Sequence, residues 1–166
     1  MKTLENILQK IKHYKIEEVA FQKSINPIAK LKQSKYFDSP TLSLKEYINR
    51  SDKSGIIAEF KRKSPSKPNI NLYADPEQVT IGYMQSGASA LSILTDQHFF
   101  GGSNNDLTIA RNFNYCPILR KDFTIDEYQI YEAKSIGADA ILLIAELLSK
   151  DEVTKFTTIA HELNLE

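Results

Sequence analysis

The chain has 166 residues, which is enough for one domain with a sizeable core. Lysine plus arginine and aspartate plus glutamate number 21 each, so the formal net charge is zero and gives no sign of a nucleic-acid-binding surface. The longest apolar run, at 140–145, is too short to cross a bilayer, so no membrane association is expected. The single cysteine excludes an intrachain disulfide framework, and the three histidines are too scattered to suggest a metal site. We therefore expect a cytoplasmic protein that uses no metal and no cofactor.

The first fifty residues have the pattern of a helical extension. The first twenty carry apolar residues on one helical stripe, at Leu4, Ile7, Leu8 and Ile11. A polar connection follows, and the sequence Asp-Ser-Pro at 38–40 interrupts it. Ser43 is then placed to cap a short helix that ends at Ile48. We predict a helical extension at 1–50, ahead of the first strand.

The segment 56–66 begins as a strand and ends in a cluster of charged and hydroxyl residues. At a period of two, positions 56, 58 and 60 lie on one face of a buried strand, while Glu59, Lys61 and Lys63 lie on the other. Buried charges are costly unless they are paired or used, and inward residues become polar at the C-terminal mouth of a (β/α)8 barrel. The pattern therefore favours a site for an anionic substrate, and the turn Ser-Pro-Ser at 64–66 offers hydroxyl and N–H groups to a phosphate. The alternative is a solvated strand face or a charged sheet edge.

Strands and helices alternate through the rest of the chain. Strands are predicted at 90–94, 117–120 and 138–144, and helices at 76–86, 106–112, 126–136 and 150–162. Gly87 and Gly137 fall at expected helix ends, where a left-handed residue is favoured, and each leads through Gly-Ala into the next strand. This alternation predicts an α/β fold with a parallel sheet and right-handed crossovers.

Three segments resemble one known family. The run Glu-Phe-Lys-Arg-Lys-Ser-Pro-Ser at 59–66 resembles the first-strand signature of indole-3-glycerol-phosphate synthase. The runs Ser-Ile-Leu-Thr-Asp at 92–96 and Phe-Phe-Gly-Gly-Ser at 99–103 resemble its second strand and loop, and Ile-Leu-Arg-Lys-Asp-Phe at 118–123 resembles its third strand. The resemblance covers essentially the whole chain and implies a (β/α)8 TIM barrel, with the helical extension at 1–50 and strands one to four at 51–166. A complete barrel needs eight strands and about 250 residues, so we expect the first half of a barrel.

The resemblance also implies a reaction and a set of site residues. The family closes a pyrrole ring on 1-(2-carboxyphenylamino)-1-deoxyribulose 5-phosphate, with loss of carbon dioxide and water, in tryptophan biosynthesis. By motif position, Lys121 is similar to the family's principal general acid, Lys61 to the lysine that contacts the substrate carboxylate, and Glu59 to the carboxylate beside it. Further substrate-binding positions are implied at Ser64 for the phosphate and at Phe100, Phe123 and Leu142 for the anthranilate ring.

Plainer explanations exist for these residues and for the function. From pattern alone, Lys121 would be an exposed residue of a strand-end loop, Ser64 a turn serine, and the three apolar residues part of the core. Two alternative functions are another phosphosugar (β/α)8 enzyme and a non-catalytic half-barrel that serves as an interaction module. The family's remaining catalytic and phosphate-binding residues would lie beyond Glu166, so we expect this chain alone to be inactive. Its expected partner is a phosphorylated small molecule, and open sheet edges would permit self-association.

Overall fold

The computed structural model describes residues 2–166, with side chains from residue 7 onward. Three helices precede the sheet: α1 (Lys2–Ile25), α2 (Ile28–Leu31) and α3 (Leu44–Asn49). Ser43 caps α3 as predicted, because its hydroxyl accepts a hydrogen bond from the N–H of Glu46 at 3.1 Å. The short helix α2 was not predicted.

The apolar stripe predicted on α1 faces the protein. Ile11 is buried, and Ile7 and Leu8 are half-buried against the core, while the side chain of Leu4 lies outside the described residues. The helix is longer than predicted and continues to Ile25. All three N-terminal helices lie before the first strand, but the division into an extension at 1–50 and a barrel portion at 51–166 stays a prediction.

Four parallel strands form one sheet. They lie side by side in chain order: β1 (Ile57–Phe60), β2 (Ala90–Leu94), β3 (Ile118–Lys121) and β4 (Ala140–Ile141). The segments between them contain α4 (Pro76–Gln85), α5 (Gln97–Phe100), α6 (Asn104–Phe113) and α7 (Tyr128–Ile136), and α8 (Lys150–Glu162) follows β4. Parallel neighbours need such crossover connections, so the observed order confirms the predicted α/β alternation.

The two faces of the sheet differ in character. Residues that pair across parallel strands share a face, and one face carries the row Phe60, Ile93 and Arg120, all buried. The apolar core includes that face and inner residues of the surrounding helices, among them Leu107, Ile130, Phe156 and Ala160. The other face carries a row formed by Glu59, Ser92 and Leu119, so polar side chains concentrate on the face turned away from this core.

The first strand is less buried than predicted. Ile56 and Ile57, expected in a buried strand, are 59% and 38% exposed. The reason is that β1 is an edge strand, which pairs only with β2 among the described residues. Only its C-terminal end, at Phe60, is fully buried.

The fourth strand is much shorter than the predicted 138–144, since only Ala140–Ile141 is a strand. On one side it pairs with β3, and on the other Ile141 N donates to Glu166 O at 2.9 Å and Glu166 N donates to Asp139 O at 2.9 Å. An apolar run extends as a strand only where neighbouring backbone groups pair with it, and the described residues supply no further pairing here.

The remaining element boundaries lie close to the prediction. β2 and α8 match it, β3 begins one residue later than predicted, and α4, α6 and α7 shift by less than a turn. Gly87 and Gly137 follow α4 and α7 with φ of +89° and +93°, which confirms the predicted left-handed residues at these helix ends. The short helix α5, between β2 and α6, was not predicted.

Candidate active site

One carboxylate lies between two lysines at the C-terminal ends of β1 and β3. Lys61 Nζ is 2.8 Å from Glu59 Oε1, and Lys121 Nζ is 3.5 Å from Glu59 Oε2. Ser92 Oγ donates a hydrogen bond to Glu59 Oε2 at 3.4 Å. The side chains of Glu59 and Lys61 are each 32% exposed and that of Lys121 is 38% exposed, so a ligand can reach all three. The structure therefore brings together the three residues predicted to be catalytic.

The strand register explains this convergence. Glu59 pairs with Ser92, Ser92 pairs with Leu119, and Lys121 lies two residues further along β3. Side chains alternate between the faces of a strand, so Lys121 lies on the same face as Leu119 and Glu59. Lys61 returns to that face two residues after Glu59. In the structure these three side chains share one face of the sheet, as their spacing along the strands predicts.

The two lysines keep Glu59 ionised. Burial would raise the pKa of this carboxyl, but the hydrogen bond from Lys61 and the charge of Lys121 outweigh burial and hold the pKa below its ordinary value. The site therefore presents one carboxylate and two basic side chains, with a net positive formal charge. Such a cluster attracts an anionic substrate.

Apolar side chains lie near the ends of the same strands. Phe100 ends α5 and Phe123 follows β3, and their ring centroids are 5.8 Å apart with planes inclined at 41°. Phe123 is buried, whereas Phe100 is half-buried. Leu142 directly follows β4 and is also half-buried. Apolar positions next to convergent polar groups are typical of a pocket for an aromatic ligand.

Ser64 lies in a turn closed by its own hydrogen bonds. Ser64 N donates to Lys67 O at 2.9 Å, and Lys67 N lies 3.1 Å from both Ser64 O and Ser64 Oγ. The hydroxyl of Ser66 lies 3.2 Å from Ser64 Oγ. The side chain of Ser64 thus stabilises the turn, which was the alternative role given for this residue in the sequence analysis. A hydroxyl that accepts from the backbone still has a hydrogen to donate, so this role is compatible with anion binding.

Comparison with known proteins decides which family this site belongs to. The family model for indole-3-glycerol phosphate synthase matches residues 8–166. The chain belongs to the indole-3-glycerol phosphate synthase family. Proteins named indole-3-glycerol phosphate synthase are similar to it in Bacteroides thetaiotaomicron, at 48% identity over 163 residues, and in Neisseria meningitidis serogroup B, at 39% over 165 residues. These alignments cover 98% of this chain in both cases, but only 62% and 64% of the two relatives.

Membership in the synthase family confirms the predicted fold class. The family has a (β/α)8 TIM-barrel fold, and the parallel sheet with sequential strands is consistent with part of such a barrel. Within residues 2–166, no helix is long and apolar enough to cross a membrane. Among residues 7–166, whose side chains the structure describes, no group of three or more His, Cys, Asp or Glu side chains could hold a metal ion.

An arginine that the sequence pattern did not single out joins two segments beside the candidate site. Arg62 donates to both carboxylate oxygens of Asp106, at 2.6 and 2.9 Å. It also donates to the carbonyl oxygens of Gly101 and Ala74, each at 3.2 Å. The signal was present, because alternation along the strand directs Arg62 away from the face of Lys61. Its contacts tie the segment after β1 to Gly101, which follows α5, and to Asp106 in the first turn of α6.

A buried lysine of α1 was likewise not singled out from the sequence pattern. Lys15 of α1 is 1% exposed and lies between Asp96, which follows β2, and Asp122, which follows β3. The signal was its spacing, since Ile11, Lys15 and Val19 recur every four residues and are all buried. A lysine on the buried stripe of a helix needs an acidic partner, and the acids at the two strand ends provide it.

Proposed function

We propose that this chain forms part of an indole-3-glycerol-phosphate synthase, a decarboxylating carbon–carbon lyase of tryptophan biosynthesis. The observation that carries the proposal is the carboxylate of Glu59 held at 2.8 Å from Lys61 and 3.5 Å from Lys121 on an accessible face of the sheet. The substrate, 1-(2-carboxyphenylamino)-1-deoxyribulose 5-phosphate, carries a carboxylate, a phosphate and a ketone. Its conversion needs acid–base groups and positive charge in one place, and this cluster offers both.

Lys121 acts as the general acid in this proposal. Its protonated amine gives a proton to the ketone oxygen while the ring carbon that bears the carboxylate attacks the ketone carbon, which forms the new carbon–carbon bond. The bond to the carboxyl group then breaks, and its electron pair restores the aromatic ring as carbon dioxide leaves. The new hydroxyl group departs as water after a second protonation, and loss of a proton from the adjacent carbon completes the indole ring.

Lys61 and Glu59 prepare the site for these steps. Lys61 contacts the substrate carboxylate, and its positive charge stabilises that group until decarboxylation. Glu59 orients both lysines through the contacts described above and is placed to exchange protons with Lys121. A pair of groups of opposite charge within hydrogen-bonding reach is what sequential acid and base steps require.

The remaining predicted residues hold the two ends of the substrate. Phe100, Phe123 and Leu142 enclose the anthranilate ring, a role supported by their apolar side chains at the end of α5, just after β3 and just after β4. Ser64 contacts the phosphate through its hydroxyl, together with the exposed turn that it closes. We also place the enzyme in the cytoplasm, a proposal that rests on the single, unpaired and buried Cys116.

The test measures indole-ring formation by fluorescence in a completed chain. We define the completed chain as these 166 residues joined to the part of the Bacteroides thetaiotaomicron relative that the alignment leaves uncovered. We expect the completed chain to convert the substrate, and Lys121→Ala to abolish conversion while the exposed-lysine control Lys150→Ala retains it. The 166-residue chain assayed alone is expected to be inactive, with its self-association followed by size-exclusion chromatography.

Two outcomes would contradict parts of this proposal. A completed chain that folds but forms no indole product would remove the synthase assignment. Undiminished turnover by Lys121→Ala would remove the general acid. The alternative of a different phosphosugar enzyme is disfavoured by the match to the synthase family over residues 8–166.

A further inference from the structure

The buried lysine of α1 contacts three acids, two of which begin the loops of the candidate site. Lys15 Nζ lies 2.9 Å from Asp96 Oδ2, 2.9 Å from Asp122 Oδ1 and 3.0 Å from Glu18 Oε2. The side chains of Lys15, Asp96 and Asp122 are almost fully buried, whereas Glu18 is partly exposed. The cluster therefore joins the N-terminal helix to the C-terminal ends of β2 and β3.

Asp96 controls the position of one aromatic ring. Its carboxylate caps α5 by accepting from Phe99 N at 2.7 Å and from Phe100 N at 3.2 Å. The helix has a single turn and ends at Phe100, so the location of this ring depends on where the cap is held. Lys15 holds the second oxygen of the same carboxylate.

Asp122 lies between two candidate site residues, Lys121 and Phe123. One of its oxygens accepts from Phe123 N at 2.8 Å and contacts Lys15, while the other accepts from Thr95 Oγ1 at 2.5 Å. These contacts fix the backbone at the point where β3 ends. A shift of Asp122 would move Lys121, its neighbour in the chain, relative to Glu59.

We propose that Lys15 is a positioning residue, which clamps the ends of β2 and β3 so that Phe100, Lys121 and Phe123 keep the geometry that ring closure needs. This inference rests on the proposed synthase function. Without the lysine, the buried carboxylate of Asp96 would lose its ion-pair partner and Asp122 would keep only its ion pair with Arg120 at 3.4 Å, so the two strand ends would no longer share one partner. The lysine does not touch the substrate, and its effect passes through the two acids.

The test compares three variants of the completed chain. Lys15→Met leaves both acids without the lysine and is expected to lower stability. The double variant Lys15→Met with Asp96→Asn removes one positive and one negative charge, keeps an efficient helix cap and therefore separates positioning from folding. Lys10→Met is the matched control, because it removes an exposed lysine from the same helix. Folding of each variant is followed by circular dichroism, and kinetics are measured where each is folded.

The expected result is a fall in kcat that exceeds any rise in KM. A displacement of about 1 Å at a reacting group can cost roughly a hundredfold in rate, so we expect the folded double variant to lose at least roughly tenfold in kcat. KM should rise by less than kcat falls, because Phe100 and Phe123 move with the clamp whereas Lys61 and Ser64 on the β1 side lie outside it. Each measured rate is divided by the folded fraction of the variant, so that a smaller amount of folded protein is not counted as a lower kcat.

Several outcomes would overturn the inference. A folded double variant with kcat within about threefold of the Lys10→Met control would show that the clamp does not position the site, as would a raised KM with unchanged kcat. If the double variant does not fold, Asp96→Asn alone decides, since it keeps the cap and the contact of Lys15 with Asp122: reduced kcat supports the clamp and unchanged kcat contradicts it. An inactive unmodified completed chain contradicts the synthase proposal and this inference together, whereas an active one with unaffected variants contradicts this inference alone.

Discussion

Replacing Glu59 by glutamine tests whether one carboxylate organises both lysines of the candidate site. Glutamine has the size of glutamate and can still hydrogen-bond, but it carries no charge and does not accept a proton at neutral pH. The change therefore removes two ion pairs, one with Lys61 at 2.8 Å and one with Lys121 at 3.5 Å. The two lysines then have no carboxylate between them.

The expected loss of stability is small. Ion pairs between partly exposed groups contribute about 0.2–1 kcal/mol each, so two such contacts give a loss of about 1 kcal/mol in the free energy of unfolding. A domain with a typical stability of about 5–15 kcal/mol remains almost entirely folded after such a loss. The expected fall in kcat, on the order of a hundredfold for a lost acid–base group, therefore cannot come from unfolding.

The pH dependence of this stability difference has a definite sign. Against the effect of burial, Lys61 and Lys121 hold the pKa of Glu59 below its ordinary value, which is about 4.3. A depressed pKa stabilises the folded state at pH values above the ordinary one, and this contribution is lost as the pH falls through the lower folded value. The difference between the unmodified chain and Glu59→Gln should therefore be constant near neutral pH and disappear in acid.

The assay combines urea unfolding at several pH values with kcat measurements on the completed chain. Glu162→Gln, at an exposed position at the end of α8, is the control and should change stability by less than about 0.5 kcal/mol. Two results would refute the reasoning. One is a kcat for Glu59→Gln within about threefold of the unmodified value, and the other is a stability difference that grows as the pH falls below about 4.

Three further predictions concern single residues. Lys121→Ala should lower kcat by on the order of a hundredfold with little change in KM, and a raised KM with normal kcat would contradict its role as general acid. Gly102→Ala should lower the free energy of unfolding in urea by roughly 2–3 kcal/mol or more, since its Cβ would lie 2.0 Å from Leu94 O. Gly82→Ala, in open space on α4, is the matched control, and equal stability of the two variants would contradict the observed turn. Burial raises the pKa of Tyr128 to about 12, so stability that is present below pH 10 should be lost as the pH rises towards 12. In unfolding experiments at alkaline pH, Tyr128→Phe should lose less stability than the unmodified chain as the pH rises. If the stability of both proteins falls equally steeply with pH, another group titrates.

Local patterns were sufficient to predict most helices and strands and the face of the sheet on which the candidate site residues lie. The cap at Ser43 and the glycines after α4 and α7 depend on a few neighbouring residues, and the structure confirms them. The convergence of Glu59 and Lys61 follows from alternation along one strand. Adding Lys121 required the order of the strands, which the βα alternation and the family resemblance both implied.

Other features depend on partners that local sequence does not name. The exposure of Ile56 and the shortness of β4 follow from which backbone edges find a neighbour. The helix α5 is a single turn, too short for a periodic signal, and its stability comes from the cap at Asp96. Neither pattern nor propensity over a few residues contains this information.

The sequence by itself determined the alternation of strands and helices, the polar face of β1 and the motifs that mark the family. Only the tertiary structure decided that Lys15, far earlier in the chain, lies between Asp96 and Asp122, and that the partner of Arg62 is Asp106. The physical reason is that backbone periodicity depends on residues within one or two turns, whereas the partner of a buried charge is chosen by which strand ends and helices meet in space.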